Sequence, residues 1–273
     1  MKTYSKIKKD GRIIAEVCSF LEYPEGKIFL QKVAQNISFR KDIGFAGFLS
    51  KEGLKSCLNQ FIFGKKKETN WNQLTHKKCV QEIEAVLEKC AEVIGEKKLK
   101  IFLFPTINSF IIKKMNGVCG ASYWKNTICL FLYKKEKWRE ELQKQLAHEI
   151  AHAIALNFLE RKTVLDDLIF EGIAEHFRES YIGGRQAQWT KAISEEKAKK
   201  ILAELKEKLL TIDLNLSRDL LYGTDKYVVW TGYAIGYYIV KEYLRERKNR
   251  QWNELIKIPP KIIYEEYCKI KCR

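Results

Sequence analysis

The feature that most constrains the fold is a predicted helix over residues 136–160, which contains the run QLAHEIAHAI. Apolar side chains surround most of this helix: Leu146, Ile150, Ala151, Ala153, Ile154, Ala155 and Leu156. A helix that is apolar on nearly all sides must be buried. It nevertheless carries His148, Glu149 and His152. An unsatisfied buried polar group costs roughly 1 to 3 kcal/mol. The fold must therefore supply a metal, a carboxylate or a backbone carbonyl to the two histidines.

The spacing of these three polar residues favours a metal site. At about 100° per residue, His152 lies about 40° around the helix from His148, and Glu149 lies about 100° from His148. All three side chains therefore project into one sector. Two imidazoles one turn apart bind one cation, and the carboxylate between them is offset enough to reach a metal-bound water instead. Taken alone, the pattern leaves open an ordinary core helix whose histidines bind protein groups.

A second predicted helix, at about 164–181, supplies a third metal ligand. It begins with a capping box formed by Thr163 and Asp166, and Glu171 lies 19 residues after the second histidine of the first helix. A short loop between the two helices lets the second fold back against the first. Glu171 then completes a His, His, Glu set with one position left for water.

Glu175 lies one helical turn beyond Glu171 and is predicted to act on a ligand rather than on the metal. A carboxylate at this position accepts the far N–H of a ligating histidine, with His148 the first choice, and so fixes its tautomer and orientation. The alternative for Glu175 is a solvated glutamate on the helix surface.

The residues HEIAH, followed after eighteen positions by EGIAE, resemble the gluzincin branch of zinc metallopeptidases. With WTGYAIGYYIVKEY downstream, the chain is similar in particular to a bacterial family of predicted zinc-dependent proteases, over about residues 115–245. The resemblance implies a zincin-like fold and one zinc ion, with no other cofactor. It also implies hydrolysis of peptide bonds in a peptide or protein substrate by a metal-activated water. In this reaction Glu149 is the general base.

Two further features bear on the reaction. The tetrahedral oxyanion needs a donor besides the metal. Tyr233 and Tyr237, one turn apart on a helix predicted over 226–247, are candidates, although tyrosines beside glycines are also typical of a packed core. His176, off the face of Glu171, is a third candidate. Related aminopeptidases hold the substrate amine with an acidic segment, whereas GASYWKN contains no acid. This difference favours an endopeptidase.

The sequence predicts an α+β fold, in which a small mixed sheet packs on the buried HExxH helix and a mainly helical C-terminal half follows. A helix is predicted over 79–94. Strands are predicted at KLKIFLF, SFIIKK and TICLFLY. In NGVCGASYW, Gly117 and Gly120 predict a turn and then extended backbone that another group approaches closely. One long helix is expected at about 187–210.

The predicted domain division lies near residue 75. Residues 1–75 form an N-terminal segment of unassigned role that packs on the main domain, and residues 76–273 form the zincin-like metallopeptidase domain.

The composition limits the partners of the chain. Its formal charge is +16, from 50 basic and 34 acidic residues. This charge makes nucleic acid a possible partner, but no RNA or DNA motif is visible and a lysine-rich solvated surface is favoured. The eight cysteines form no CxxC pair. Together with the absence of a signal-peptide core, they favour a reduced, cytoplasmic protein. The longest uncharged run, 227–240, is too short to span a membrane. The oligomeric state is left open.

Two other functions compete with the peptidase. One is a catalytically inactive zincin fold that serves as a binding module. The other is a basic nucleic-acid-binding module with a zinc site.

Overall fold

The computed structural model of the chain describes residues 2–20, 73–247 and 251–272. The described residues form two compact units, which divide between Asn157 and Phe158. Most of the N-terminal segment predicted over 1–75 lies outside the described residues, so its role and its boundary stay predictions. None of the helices in the described ranges is long and apolar enough to cross a bilayer.

The first unit contains a mixed sheet with five described strands. These are β1 (Lys2–Lys9), β2 (Arg12–Phe20), β3 (Leu99–Pro105), β4 (Val118–Trp124) and β5 (Thr127–Leu132). Their order is β1-β2-β3-β5-β4. The outer pairs are antiparallel, whereas β2 pairs with β3 and β3 with β5 in parallel. The structure confirms a mixed sheet before the histidine helix, and it adds two strands, β1 and β2, that the sequence analysis did not predict.

Four described helices accompany this sheet: α1 (Gln73–Lys89), α2 (Ala91–Ile94), α3 (Ser109–Lys114) and α4 (Trp138–Ala155). Helix α4 carries the HExxH motif, is buried along most of its length and packs against β4 and β5. The predicted helix over 79–94 is therefore two helices, α1 and α2, broken at Cys90.

The strand prediction for SFIIKK was wrong, because these residues form helix α3. The side-chain oxygen of Asn108 accepts hydrogen bonds from the backbone N–H groups of Phe110 (2.9 Å) and Ile111 (3.2 Å). Such an N-cap satisfies donors that a helix start leaves open. A run of six residues is too short for apolar spacing to separate a strand from a helix, and the cap is the deciding local signal.

The second unit contains helices joined by loops, and no strand lies among its described residues. Its helices are α5 (Val164–Ile182), α6 (Glu195–Glu204), α7 (Leu214–Tyr222), α8 (Thr231–Arg245), α9 (Trp252–Leu255) and α10 (Pro260–Lys271), with 3-10 turns at Trp189–Lys191 and Lys206–Lys208. The mainly helical C-terminal half is confirmed. The single helix predicted at about 187–210 was wrong, because Ser194 caps a separate α6 by accepting from the N–H of Lys197.

Helices α5 and α8 cross in close contact at two glycines. A β-carbon added to Gly172 would overlap the carbonyl oxygen of Gly236, and one added to Gly236 would overlap the carbonyl oxygen of Leu168. A glycine on each helix thus allows the two backbones to approach closely. This contact fixes α5, which carries Glu171, against α8, which carries both tyrosines.

Candidate metal centre

The two histidines of α4 face each other in the first unit. Their Nε2 atoms are 2.9 Å apart, their ring centroids are 4.5 Å apart, and the ring planes cross at 85°. His148 is 6% exposed and His152 is 5% exposed. Ring nitrogens that converge in this way present their lone pairs to one point, which is the arrangement that a shared cation requires.

Glu149 lies between them in sequence and packs on strand β4. Its side chain lies directly against Gly120, so that a β-carbon added there would be 2.6 Å from Oε1 and 2.7 Å from Cδ. The hydroxyl of Ser122, also on β4, donates a 3.1 Å hydrogen bond to the carbonyl of Glu149. The prediction that a group approaches the backbone closely near Gly120 is confirmed, and that group is the carboxylate of Glu149.

Glu171 lies on α5 in the second unit and is 4% exposed. The predicted capping box at the start of this helix is confirmed. Thr163 Oγ1 accepts from the N–H of Asp166 (3.2 Å), and the Asp166 side chain accepts from the N–H of Thr163 (2.8 Å). A terminal nitrogen of Arg161 lies 3.6 Å from Glu171 Oε1.

Within the described ranges, His148, His152 and Glu171 are buried and form a candidate set of metal ligands. Two imidazoles and one carboxylate are the protein ligands of one class of catalytic zinc site, which keeps its fourth position for water or substrate. The donor set therefore fits zinc, as the sequence predicted.

Glu175 is fully buried, so the alternative of a solvated surface glutamate does not hold. The indole N–H of Trp189 donates to Oε1 at 2.7 Å, and a terminal N–H of Arg178 donates to Oε2 at 3.0 Å. Both bonds favour an ionised carboxylate in one fixed orientation. This carboxylate is suited to orient a histidine, and that role stays a prediction.

The candidate oxyanion donors lie in the second unit, Tyr233 and Tyr237 on α8 and His176 on α5. The hydroxyl of Tyr237 donates to Glu179 Oε2 at 3.0 Å, and its ring stacks on His176 with the centroids 4.1 Å apart. Burial, followed by the charge of Glu179, raises the pKa of Tyr237 above its usual range. His176 Nε2 lies 3.0 Å from the carbonyl oxygen of Tyr237. Tyr233 is half-buried on the same helix.

Comparison with known proteins identifies the family. Residues 79–265 match the model of the family described as "Predicted Zn-dependent protease (DUF2268)". The chain belongs to this family. The DUF2268 assignment confirms the resemblance to a bacterial family of predicted zinc-dependent proteases.

One curated relative of this DUF2268 chain is "Uncharacterized protein YjaZ" of Bacillus subtilis (strain 168). The two are 33% identical over 114 residues, an alignment that covers 38% of this chain and 42% of YjaZ. The chain therefore spans less than half the length of that relative. No solved structure matches the chain.

Three residues around the site of this DUF2268 protein were missed by the sequence analysis: Arg161, Arg178 and Trp189. Arg161 and Trp189 lie outside the long helices, where no periodic pattern marks a side chain as buried. Asp167, which pairs with Arg161, carried a usable signal, since it precedes Glu171 by four residues and so shares its helix face.

Proposed function

We propose that this chain is a zinc-dependent peptidase. The observation that carries the proposal is the buried set of His148, His152 and Glu171. The two histidines belong to a His-Glu-x-x-His motif whose glutamate is Glu149. These three residues would hold the ion. Bound zinc supplies Lewis-acid chemistry, which polarises a peptide carbonyl and lowers the pKa of water towards about 7.

Glu149 is proposed as the general base. Its carboxylate takes the proton of the attacking water and passes it to the leaving amine as the peptide C–N bond breaks. Proton transfer requires a base held within hydrogen-bonding distance of the water. The packing of the Glu149 side chain against Gly120 supports this role because it restricts where the carboxylate lies. The bond from Ser122 to the backbone carbonyl of Glu149 holds the backbone of α4 at this residue against β4.

For the oxyanion donor, we favour Tyr233 over Tyr237. The hydroxyl of Tyr237 already donates to Glu179 and would have to leave that bond to reach a substrate. Glu175, held by Trp189 and Arg178, is proposed to orient a ligating histidine, with His148 the first choice.

We propose that an extended peptide pairs with β4, the last strand at one side of the described sheet. A strand at a sheet edge offers backbone N–H and C=O groups to an added strand. Strand β4 also carries Gly120, against which Glu149 lies. The segment GASYWKN contains no acidic residue that could bind a substrate amine. These features favour an endopeptidase in a zincin-like fold.

The test is the Glu149→Gln variant of the full chain. We expect it to keep one zinc by metal analysis and to lose peptide hydrolysis by about 10²- to 10⁴-fold, the usual contribution of a general base. A mixed peptide library, analysed by mass spectrometry, supplies the substrates. Glu140→Gln is the matched control, because Glu140 lies on the exposed side of the same helix.

Two results would contradict the proposal. The first is the absence of zinc from wild-type protein produced with ample zinc. The second is equal hydrolysis by wild type and Glu149→Gln. Retained zinc without hydrolysis of any peptide would instead favour the inactive binding module. Glu171→Ala should weaken zinc retention. Unchanged retention would show that a residue other than Glu171 is the third ligand.

A further inference from the structure

We propose that Arg161 is a positioning residue that holds the carboxylate of Glu171 ready for zinc. This inference rests on the proposed role of Glu171 as a zinc ligand. Arg161 lies just before α5, and its side chain is 8% exposed. A buried guanidinium needs compensating charge and hydrogen bonds, and here both come from the carboxylates on one face of α5.

Asp167 and Phe170 fix the position of the guanidinium. Arg161 Nε donates to Asp167 Oδ1 at 2.9 Å, and a terminal nitrogen of Arg161 lies 2.9 Å from the same oxygen. The guanidinium carbon lies 4.4 Å from the centroid of the Phe170 ring, which it covers. Arginine keeps its planar donors in fixed directions, so these contacts leave it little freedom to turn.

The same terminal nitrogen of Arg161 lies 3.6 Å from Glu171 Oε1. This distance is too long for a hydrogen bond but close for an ion pair between buried groups. Asp167 and Glu171 are one helical turn apart, so their carboxylates repel each other on the same face of α5. Arg161 lies near both carboxylates and offsets this repulsion, which holds the Glu171 carboxylate in place on that face of α5.

Because Arg161 is a cation, it also repels a metal ion bound by Glu171. This repulsion opposes the orienting effect of Arg161 on the Glu171 carboxylate. The contacts of Arg161 with Asp167 are shorter, at 2.9 Å, than its contact with Glu171, at 3.6 Å. Asp167 therefore offsets most of the charge that Arg161 would present to an incoming cation. We therefore expect the orienting effect on Glu171 to exceed the repulsion, in line with the 10- to 100-fold that groups supporting a metal ligand typically contribute to metal affinity.

If the role of Arg161 is purely structural, its contact with Asp167 serves only to hold the segment before α5 against that helix. Such a role predicts a loss of stability without a change at the metal. The positioning role predicts weaker metal binding by protein that is still folded. It also predicts an altered ligand environment around the metal.

The experiment compares Arg161→Met and Arg161→Lys with wild type, using the full chain. Zinc affinity is measured by competition with a chromophoric chelator, and the absorption spectrum of the Co²⁺-loaded protein reports the ligand environment. We expect Arg161→Met to raise the Kd for zinc about 10- to 100-fold. Its Co²⁺ spectrum should move in the same direction as that of Glu171→Ala. Arg161→Lys should recover part of the affinity, because it keeps the charge but cannot contact both carboxylates in a fixed geometry.

The control is Arg218→Met, which removes one positive charge from an exposed position on α7. Thermal unfolding of the metal-free proteins shows which variants fold, and Arg161→Lys keeps the test decisive if Arg161→Met does not fold. A wild-type Kd and Co²⁺ spectrum in the folded variants would overturn the role of Arg161 alone. Failure of the wild type to bind zinc would overturn the proposed function, and this inference with it.

Discussion

The carboxylate of Glu149 occupies the space that a β-carbon on residue 120 would need. Any residue other than glycine at position 120 would overlap the Cγ, Cδ and Oε1 atoms of Glu149. Position 120 lies within strand β4, where its backbone is extended. Glycine is therefore required here for the space it leaves and not for an unusual backbone conformation.

Gly120→Ala should move the Glu149 carboxylate and reduce peptide hydrolysis. Displacing a reacting group by about 1 Å can cost roughly 100-fold in rate. Zinc binding should persist, because the substitution does not alter His148, His152 or Glu171. The overlap should also lower the free energy of unfolding by about 1 to 3 kcal/mol. Rates on a cleaved peptide, zinc content and urea denaturation provide the three measurements.

The control for Gly120→Ala is the same substitution in a Glu149→Ala background. Removing the side chain beyond Cβ at position 149 removes the atoms that the new methyl group meets. The stability cost of Gly120→Ala should then largely disappear. An equal cost in both backgrounds would show that the methyl group meets some other part of the protein.

Gly236→Ala should destabilise the second unit more than Gly232→Ala. At Gly236, the added carbon would overlap the backbone carbonyl oxygen of Leu168 and lie 2.7 Å from its carbon, so helix α5 or α8 must shift. At Gly232, it would meet the side-chain tips of Leu221 (2.9 Å) and Leu168 (3.0 Å), which can rotate. We expect a loss of about 3 kcal/mol or more at Gly236 and less than about 1.5 kcal/mol at Gly232. Thermal denaturation measures both, and equal losses would contradict the close helix crossing.

His76 should make the stability of the protein depend on pH below about 6.5. Its Nδ1 lies 2.5 Å from Ser19 Oγ and its Nε2 lies 3.0 Å from Ser5 Oγ, between strands β1 and β2 and helix α1. Burial lowers the pKa of His76 below its usual 6.5. As pH falls below 6.5, the unfolded chain takes up a proton before the folded chain does. The stabilisation by neutral His76 is thus complete above pH 6.5 and is lost as pH falls through the lowered folded-state pKa.

His76→Gln tests this effect in urea denaturation at pH 7, 6 and 5. The variant should be less stable than wild type at pH 7, because it loses the paired hydrogen bonds to Ser5 and Ser19. Its stability should fall less steeply towards pH 5. The other histidines are present in both proteins and cancel in the comparison. Parallel pH profiles would show that His76 does not titrate differently in the folded state.

Cysteine labelling should separate the exposed thiol of Cys272 from three core thiols. The pKa values of Cys79, Cys90 and Cys129 are raised to about 12, mainly by burial. Cys272, near the end of α10, is exposed. The thiolate is the reactive form. Iodoacetamide at pH 8 should therefore modify Cys272 well before the other three, which should react only in urea. Peptide mapping by mass spectrometry would detect the order, and early labelling of Cys90 would contradict the buried placement.

The proposed metal ligands were predictable because helices place them at known angles. His148 and His152 share a face of α4 by spacing alone, and the capping box at Thr163 marked the helix that carries Glu171. Local chemistry therefore sufficed for these positions. Of the two partners of Glu175, Arg178 was predictable, because it follows Glu175 by three residues on the same helix. Trp189 was not, because it approaches from a 3-10 turn and no periodic pattern relates it to Glu175.

The N-terminal hairpin could have been predicted in part. Asp10 and Gly11 have φ values of 49° and 76°, and Asp-Gly between two β-rich segments is a strong signal for a tight hairpin turn. Its place in the sheet was not predictable. Pairing of β2 with β3 depends on contacts between residues far apart in the chain, and strand patterns alone do not reveal which strands become neighbours.

The parallel pairing of β2 with β3 has a consequence for how the chain is made. Residues from Ala15 to Ser19 pair with Leu99 to Leu103, so roughly eighty residues must follow the hairpin out of the ribosome before its neighbour exists. A two-stranded hairpin is marginal by itself in water. During synthesis, the outer side of β2 thus stays open to pairing with other chains until β3 emerges. The lysines on exposed positions of β1, such as Lys6 and Lys8, blunt the opposite edge of the hairpin against the same hazard.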